Sequence, residues 1–284
     1  MQQAKIPIHN FAADDAKSIP FKANPIRTTS RYNASVPHRH NYYECFFFET
    51  GHGIHTIDFK DYELRENSVH FVSPGQVHQL KHEPGTSGHV VIFSREFYYT
   101  GSERKDFLFE FPFLNNSPNP VFYPAEAVFK ELFELVLKIE NEFANKPPEF
   151  DIIRSYLNVI LLKSKRIFES EKQEISTQIT PLINSFRTLL EEKFPFQHLV
   201  KEYAADLAIS EKTLNETAKK SFGKTASEMI HERIILEAKR LLTHGEISVK
   251  EIAYALNFDD PAHFSKFFKT NVGISPVDFK KQSF

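Results

Sequence analysis

Hydrophobic positions change their period twice along the chain. From about Phe21 to Phe113, short apolar or aromatic runs are broken by Gly, Pro and Asn; Tyr42–Glu49, Ile54–Phe59, Val69–Val72 and Val90–Phe93 are examples. Short runs bounded by turn residues predict strands of an all-β sandwich or barrel. Thr50-Gly51-His52-Gly53 reads as a hairpin connection between the first two runs. From about Tyr123 the period becomes helical, with Val128, Leu132, Leu135, Val136 and Ile139 on one face. Asn145-Lys146-Pro147-Pro148 should end that helix, since Pro commonly follows a helix terminus. A second helix is expected from about Phe150 to Phe168, with Ile152, Ile153, Tyr156, Leu157, Ile160 and Leu161 as its apolar face. These helices either pad the barrel or offer a seam to a second copy of the chain. Glu169 to Thr180 is polar and reads as a linker, and everything from Pro181 reads as helical.

The last hundred residues contain a repeat. Val200-Lys201-Glu202-Tyr203-Ala204, running on to Leu207, and Val249-Lys250-Glu251-Ile252-Ala253, running on to Leu256, both read V-K-E-x-A-x-x-L. Lys219 with Gly223, and Lys269 with Gly273, continue the match after a one-residue insertion. Each copy has a helix–turn–helix outline. Ser210 is a good N-cap for a helix from Glu211 to about Lys220. In the second copy Asp260 caps and Pro261 takes the first helical position, where its missing N–H costs nothing. Ala204 and Ala253 are small enough for the second helix of each pair to cross closely. Between the copies, Thr225-Ala226-Ser227-Glu228 forms a capping box for a helix that stops before Gly245, with Met229, Ile230, Ile234, Leu236, Leu241 and Leu242 partly buried. Such a helix spans about 27 Å at about 1.5 Å per residue. Successive major-groove faces on one side of B-DNA lie about 34 Å apart, so it could hold two recognition helices in adjacent turns.

Composition narrows the function classes. The chain has 284 residues, 41% hydrophobic and 25% charged, which suits a soluble globular protein of about two domains. Cys45 is the one cysteine, so no intramolecular disulfide can form, and a reducing, cytoplasmic setting is expected. Met1 to Asp15 holds no apolar run fit for a signal peptide, and no stretch is long enough to span a membrane. Net charge is only −2. From Thr180 to Phe284 there are 15 Lys and Arg against 14 Asp and Glu, so attraction to phosphate must come from placement. Lys212, Lys219, Lys220, Lys224, Lys266, Lys269, Lys280 and Lys281 are the local clusters available. The nine glycines argue against a phosphate-cradling nucleotide enzyme.

The C-terminal residues carry a family resemblance. Glu237-Ala238-Lys239-Arg240-Leu241-Leu242, Ile252-Ala253-Tyr254-Ala255-Leu256-Asn257-Phe258, Phe264-Ser265-Lys266-Phe267-Phe268-Lys269 and Gly273-Ile274-Ser275-Pro276 together resemble the signature of AraC/XylS-type transcription regulators. The resemblance covers about Phe186 to Lys281 and implies two helix–turn–helix units reading the major groove. Asn257 replaces the usual Gly of the second turn, and Glu216 stands where a basic residue is common. Matched position by position, the resemblance places base contacts at Lys212, Asn215 and Glu216 in the first unit, and at Ala262, His263, Ser265 and Lys266 in the second. Lys and Asn suit guanine and adenine edges and Ala262 a thymine methyl, while Glu216 would either repel phosphate or accept from a cytosine amino group.

Eight of the thirteen histidines lie between His38 and His89. His38, His40 and Glu44 share strand parity, so they can point together into a barrel, and Phe46 and Phe48 can line the same cavity. Ser73-Pro74-Gly75-Gln76-Val77-His78 adds a further His after a turn. H-x-H-x3-E followed by G-x-x-H is similar to the two cupin motifs, although Pro74 is one residue too close to His78 and the usual Gly before that strand is missing. In metal-dependent cupins these four positions are ligands, so His38, His40, Glu44 and His78 are the set for a divalent transition metal if one is bound. Bound metal is not the favoured expectation: the favoured one makes these residues, with Phe46 and Phe48, the polar groups and wall of a small-molecule effector site, and a third makes them hydrogen-bonded barrel residues with no ligand role. His52, His55, His70, His82 and His89 belong to no motif and are expected at the surface or in turns.

The fold class expected is thus α+β multidomain. Residues 1–170 form a cupin-like effector-binding and dimerisation domain (barrel about 21–113, helices about 124–168), 171–180 a linker, and 181–284 an all-α domain of two helix–turn–helix units joined by a linker helix. The expected function is a bacterial, homodimeric, effector-controlled regulator that binds duplex DNA, without enzyme activity; the resemblance implies an activator, with RNA polymerase then a partner. The competing class is a metal-dependent cupin enzyme or metal sensor with an appended helical domain. The repeat separates the two, because an enzyme has no need of duplicated DNA-reading units.

Overall fold

The computed structural model describes residues 8–9, 21–26, 34–99, 107–115, 119–171, 181–244 and 247–282. They divide into two units, Pro7–Glu174 and Ile175–Phe284. The first fifteen residues, apart from the strand at Ile8–His9, and 172–180 of the expected linker lie outside the described residues, and Glu169 to Glu171 belong to a helix rather than to the linker.

The described residues of the N-terminal unit form ten strands: β1 (Ile8–His9), β2 (Phe21–Pro25), β3 (Arg39–His40), β4 (Tyr43–Thr50), β5 (Gly53–Ile57), β6 (Lys60–Glu63), β7 (Ser68–Val72), β8 (His78–His82), β9 (Ser87–Phe93) and β10 (Val121–Phe122). One sheet has the order β10-β7-β4-β9-β2, a second β6-β5-β8, and β1 pairs with β3. Every pairing in the two larger sheets is antiparallel. A short helix α1 (Arg95–Tyr99) follows β9, and α2 (Glu126–Phe143) and α3 (Phe150–Glu171) follow β10.

Strand β4 explains why this region reads as an unbroken aromatic run. Successive side chains point to opposite faces of a strand. Tyr43, Cys45 and Phe47 join Val91, Phe93, Leu132, Val136, Leu157 and Ile160 in the core that α2 and α3 share with the sheet. Phe46 and Phe48 join Ile57, Tyr62, Leu64, Val72 and Leu80 in the barrel interior. A strand covered on both faces needs apolar side chains on both.

Two expectations need correction here. Thr50-Gly51-His52-Gly53 is not a hairpin: β4 pairs with β7 and β9, whereas β5 pairs with β6 and β8, so the segment carries the chain from one sheet to the other. Gly53 adopts φ 131°, and a Cβ there would stand 2.2 Å from the Lys81 carbonyl oxygen, so the crossing requires glycine. The tight hairpin lies instead at Asp58-Phe59 between β5 and β6, with Asp58 left-handed at φ 54°. On α3, Ile152 is 41% exposed and outside the apolar face, whereas Ile153, Leu157, Ile160 and Leu161 are fully buried.

The C-terminal unit is helical: α4 (Pro181–Lys193), α5 (Val200–Asp206), α6 (Glu211–Phe222), α7 (Ala226–His244), α8 (Val249–Ala255), α9 (Pro261–Val272) and α10 (Pro276–Gln282). The two copies of the repeat are superposable in their hydrogen bonds. Leu207 N–H donates to Tyr203, Ala208 to Ala205 and Ile209 to Ala204; 49 residues on, Leu256 donates to Ile252, Asn257 to Tyr254 and Phe258 to Ala253. Ser210 Oγ accepts from Thr213 N–H, and Asp260 caps through the Ala262 N–H. Gly223 and Gly273 close α6 and α9 in left-handed conformations. The inserted residue is Asp259, between the turn and the second cap. Helix α7 opens on the Thr225/Glu228 box, each partner holding the other's backbone N–H. Its Ile230, Ile234, Ala238 and Leu242 lie in the core between the two copies.

Candidate functional site

Helices α6 and α9 are the second helices of the two units, and their outward faces are open. Lys212 and Glu216 are exposed on α6, and Ala262, His263 and Lys266 on α9. Lys212 Nζ lies 3.9 Å from Glu216 Oε1, both well exposed, a contact too long and too wet to hold the lysine back. Asn215 and Ser265 are different. Asn215 is half-buried, and its Oδ1 accepts the Ala226 N–H at 3.0 Å, tying α6 to the first turn of α7. Ser265 Oγ donates to Pro261 O at 2.8 Å within its own helix. Of the lysines expected near phosphate, Lys224 is held by Glu232 at 2.7 Å, and Lys280 Nζ donates to Ile247 O. Lys219, Lys220, Lys269 and Lys281 are exposed. Phe264 and Phe268 are wholly buried, while Phe267 is half-buried.

The barrel brings the motif histidines together. His38 and His78 form a reciprocal backbone pair, and Gly75 N–H donates to His40 O, which brings the second motif against the first. Asp58 in the β5–β6 turn accepts from Gln76 Nε2 and from Val77 N–H, bracing the segment that carries His78. His40 Nε2 lies 3.3 Å and His78 Nε2 3.4 Å from Glu44 Oε2. His40 Nδ1 donates to Tyr42 O at 2.7 Å, so in a neutral ring its Nε2 presents a lone pair toward the carboxylate. His38 lies outside this trio: its Nδ1 donates to Val36 O, and its ring packs 4.1 Å from that of His78. Phe46 and Phe48 continue the same face of β4, at 5.1 Å from the His55 and His70 rings respectively.

His55 and His70, expected at the surface, are instead completely buried inside the barrel. His55 shares strand parity with the buried Ile57, and His70 comes to face Phe46 only once β4 and β7 are paired. Burial pushes the His70 pKa down to about 3. His55 is also held well below the usual imidazole range, first by burial and then by repulsion from His70, His38 and His40. His52 is exposed, His82 half-buried, and His89 pairs with Glu140 at 2.8 Å across to α2. On the other face of β4, burial raises the Cys45 thiol pKa well above its ordinary value, which makes it inert.

The donor set of the trio suits a divalent transition metal. His40, Glu44 and His78 can each offer one ligand atom, all within 4.8 Å of one another. Two imidazoles and a carboxylate with a position left open match the chemistry of Zn(II), Fe(II), Mn(II) or Ni(II). The Tyr42 carbonyl on His40 is the kind of partner that orients a metal-binding imidazole.

A model for the AraC-like ligand binding domain matches residues 25–141, and one for a helix-turn-helix domain matches residues 203–282. This chain belongs to the AraC family of transcription regulators. As an AraC-family chain it carries a ligand-binding N-terminal domain and a DNA-binding C-terminal domain. It is 26% identical over 249 residues to the HTH-type transcriptional activator RhaS of Escherichia coli, covering 86% of this chain and 87% of RhaS. Among solved structures, ToxT from Vibrio cholerae covers 92% of the AraC-family chain and 98% of its own, at 16% identity and a TM-score of 0.40. An AraC-type DNA-binding domain protein from Chromobacterium violaceum covers 36% of this chain and 92% of its own, at 22% identity and a TM-score of 0.33. Among the described residues, no helix is long and apolar enough to cross a membrane.

Proposed function

We propose that this chain is a bacterial, cytoplasmic transcription activator whose occupancy of DNA is set by a small molecule in the barrel. The observation that carries the reading is the repeated geometry of the C-terminal unit: two recognition helices with open outer faces, joined by the 19-residue α7. At about 1.5 Å per residue α7 spans about 28 Å, close to the roughly 34 Å between successive major-groove faces. Lys212, Glu216, Ala262, His263 and Lys266 are the residues we assign to base edges, supported by their exposure on α6 and α9. Asn215 and Ser265 contribute through helix position, with their remaining polar atoms available to DNA. Activation is supported by similarity to RhaS, named an activator, and RNA polymerase is then the partner. A homodimer is supported by exposed Ile152, Val159 and Leu162, which recur along one side of α3, and by Leu137 on α2.

His38, His40, Glu44 and His78, backed by Phe46 and Phe48, give the mix of a few convergent polar groups and an aromatic wall that suits a small ligand. Convergence of His40, Glu44 and His78 favours a second component of that reading, in which a divalent transition metal forms part of the ligand site. The metal would supply a Lewis-acidic anchor for an oxygen-bearing ligand. The role is regulatory rather than catalytic.

The test is a mobility shift of the full chain on duplexes selected from a random pool. Lys212→Ala and Lys266→Ala are each expected to weaken specific binding by about 5- to 150-fold, the range of about 1–3 kcal/mol for a base contact. Specific affinity unchanged in both would overturn the contact assignment.

A further inference from the structure

Two buried histidines without a motif, His55 and His70, are joined to the trio whose donor set suits a metal. Glu44 Oε2 faces His78 Nε2 at 3.4 Å, His78 Nδ1 faces His55 Nε2 at 3.1 Å, and His55 Nδ1 faces His70 Nδ1 at 3.2 Å. The line ends at His70 Nε2, which is buried and has no hydrogen-bond partner among the described residues. Around it stand the rings of Phe48 and Tyr123.

A neutral imidazole has one N–H and one lone pair. Each inner link needs one of each, so a line of three neutral rings has only two satisfied orders. In the first, His70 Nδ1–H donates to His55, His55 Nε2–H to His78, and His78 Nε2–H to Glu44; His70 Nε2 is then a lone pair. In the second, His78 Nδ1–H donates to His55 and His55 Nδ1–H to His70; His78 Nε2 is then a lone pair and His70 Nε2 an N–H. A metal ligand must offer a lone pair, so only the second order lets His78 hold a cation.

We propose that Glu44, His78, His55 and His70 form a two-ended relay, in which a divalent transition metal on His40, Glu44 and His78 makes His70 Nε2 an N–H donor to an oxygen-bearing organic ligand. The relay rests on the metal component of the proposed function. Reversal leaves its net charge unchanged: one proton leaves His78 Nε2 to water, one crosses each inner link, and one reaches His70 Nε2 from water. A buried donor without an acceptor is unfavourable. Metal therefore favours a ligand with an acceptor at His70, and by linkage that ligand tightens the metal.

The test uses the full chain, 15N-labelled at histidine, titrated with Zn(II), alongside His55→Phe and His55→Gln with folding checked by thermal melting. The wild-type chain should take up one Zn(II), and the His70 Nε2 resonance should change from lone-pair to N–H character. His55→Phe should bind Zn(II) about 10- to 100-fold more weakly, as loss of an orienting partner does, with no response at His70. His55→Gln, whose amide oxygen can accept from His78 Nδ1–H, should retain affinity near wild type. Zinc bound with His70 unchanged, or His55→Phe binding as tightly as wild type, overturns the relay and leaves the trio standing. No zinc uptake by the wild-type chain overturns both. Should His55→Phe fail to fold, the wild-type spectrum and His55→Gln decide.

Discussion

Ala208 and Asn257 lie 49 residues apart and adopt the same left-handed backbone, φ 53° and φ 56°. Each ends the first helix of its unit, and the residue after each returns its N–H to an alanine carbonyl at 2.9 Å, Ile209 to Ala204 and Phe258 to Ala253. The same turn is therefore built twice with different chemistry. Asn tolerates the left-handed region through local hydrogen bonding, whereas the Cβ of Ala crowds its following carbonyl. Ala208→Gly is expected to stabilise the C-terminal unit by up to about 1 kcal/mol, the strain relieved less the entropy of glycine. Urea melts of the two proteins check it; a lower midpoint for the variant would contradict the strain argument.

The first turns of α5 and α8 show a second asymmetry. Ser248 and Glu251 form a full capping box, with Ser248 Oγ accepting from Glu251 N–H. The equivalent position in the first copy is Leu199, 52% exposed, where only the Glu202 half of the box remains. Leu199→Ser should restore the missing acceptor and add about 0.5–2 kcal/mol, whereas Ser248→Ala should remove a similar amount. Denaturant midpoints moving in the same direction for both would be inconsistent with this account.

Asn215 separates positioning from base reading. Its Oδ1 holds the Ala226 N–H at the start of α7, so Asn215→Ala should destabilise the unit by about 1 kcal/mol even without DNA. Asn215→Asp keeps the acceptor and should keep the stability. Equal melting losses in both variants would argue against the cap.

Stability should fall with acid because of the buried imidazoles. Free histidine takes up its proton near pH 6.5, whereas folded His70 does so only near about pH 3. Between those values the unfolded chain binds the extra proton, so stability falls as pH falls, by at most about 1.4 kcal/mol per pH unit for this group. His55, depressed in the same direction, adds to the slope. His70→Phe should flatten the dependence between about pH 6.5 and 4. An unchanged slope would mean that His70 does not resist protonation in the folded state.

Much of the fold was legible because it depends on local chemistry. The caps at Ser210 and Asp260, the left-handed Asn257 and the Thr225/Glu228 box are short-range devices, and the structure forms each of them. The strand parity of His38, His40 and Glu44 was equally local, and all three are buried beside His78, although only His40 and Glu44 join it in a set of ligand atoms within 4.8 Å of one another. What escaped the sequence depends on pairing between strands. Gly51 and Gly53 suggest a turn, but nothing near them says that β4 and β5 belong to different sheets. His55 and His70 carry no motif, and their burial follows only from the register that sets them opposite Leu80 and Phe46. The engagement of Asn215 with α7 likewise needs the close crossing of two helices separated by a glycine turn.

Hydroxyl-radical footprinting of the full chain on a duplex selected from a random pool reads both recognition helices in one measurement. Two protected windows per chain are expected on one face of the DNA, about one helical turn or about 10 base pairs apart. Lys212→Ala should weaken protection of one window and Lys266→Ala the other. Failure to select any sequence above non-specific binding, or a single window that neither substitution alters, would contradict the reading of DNA by both helices.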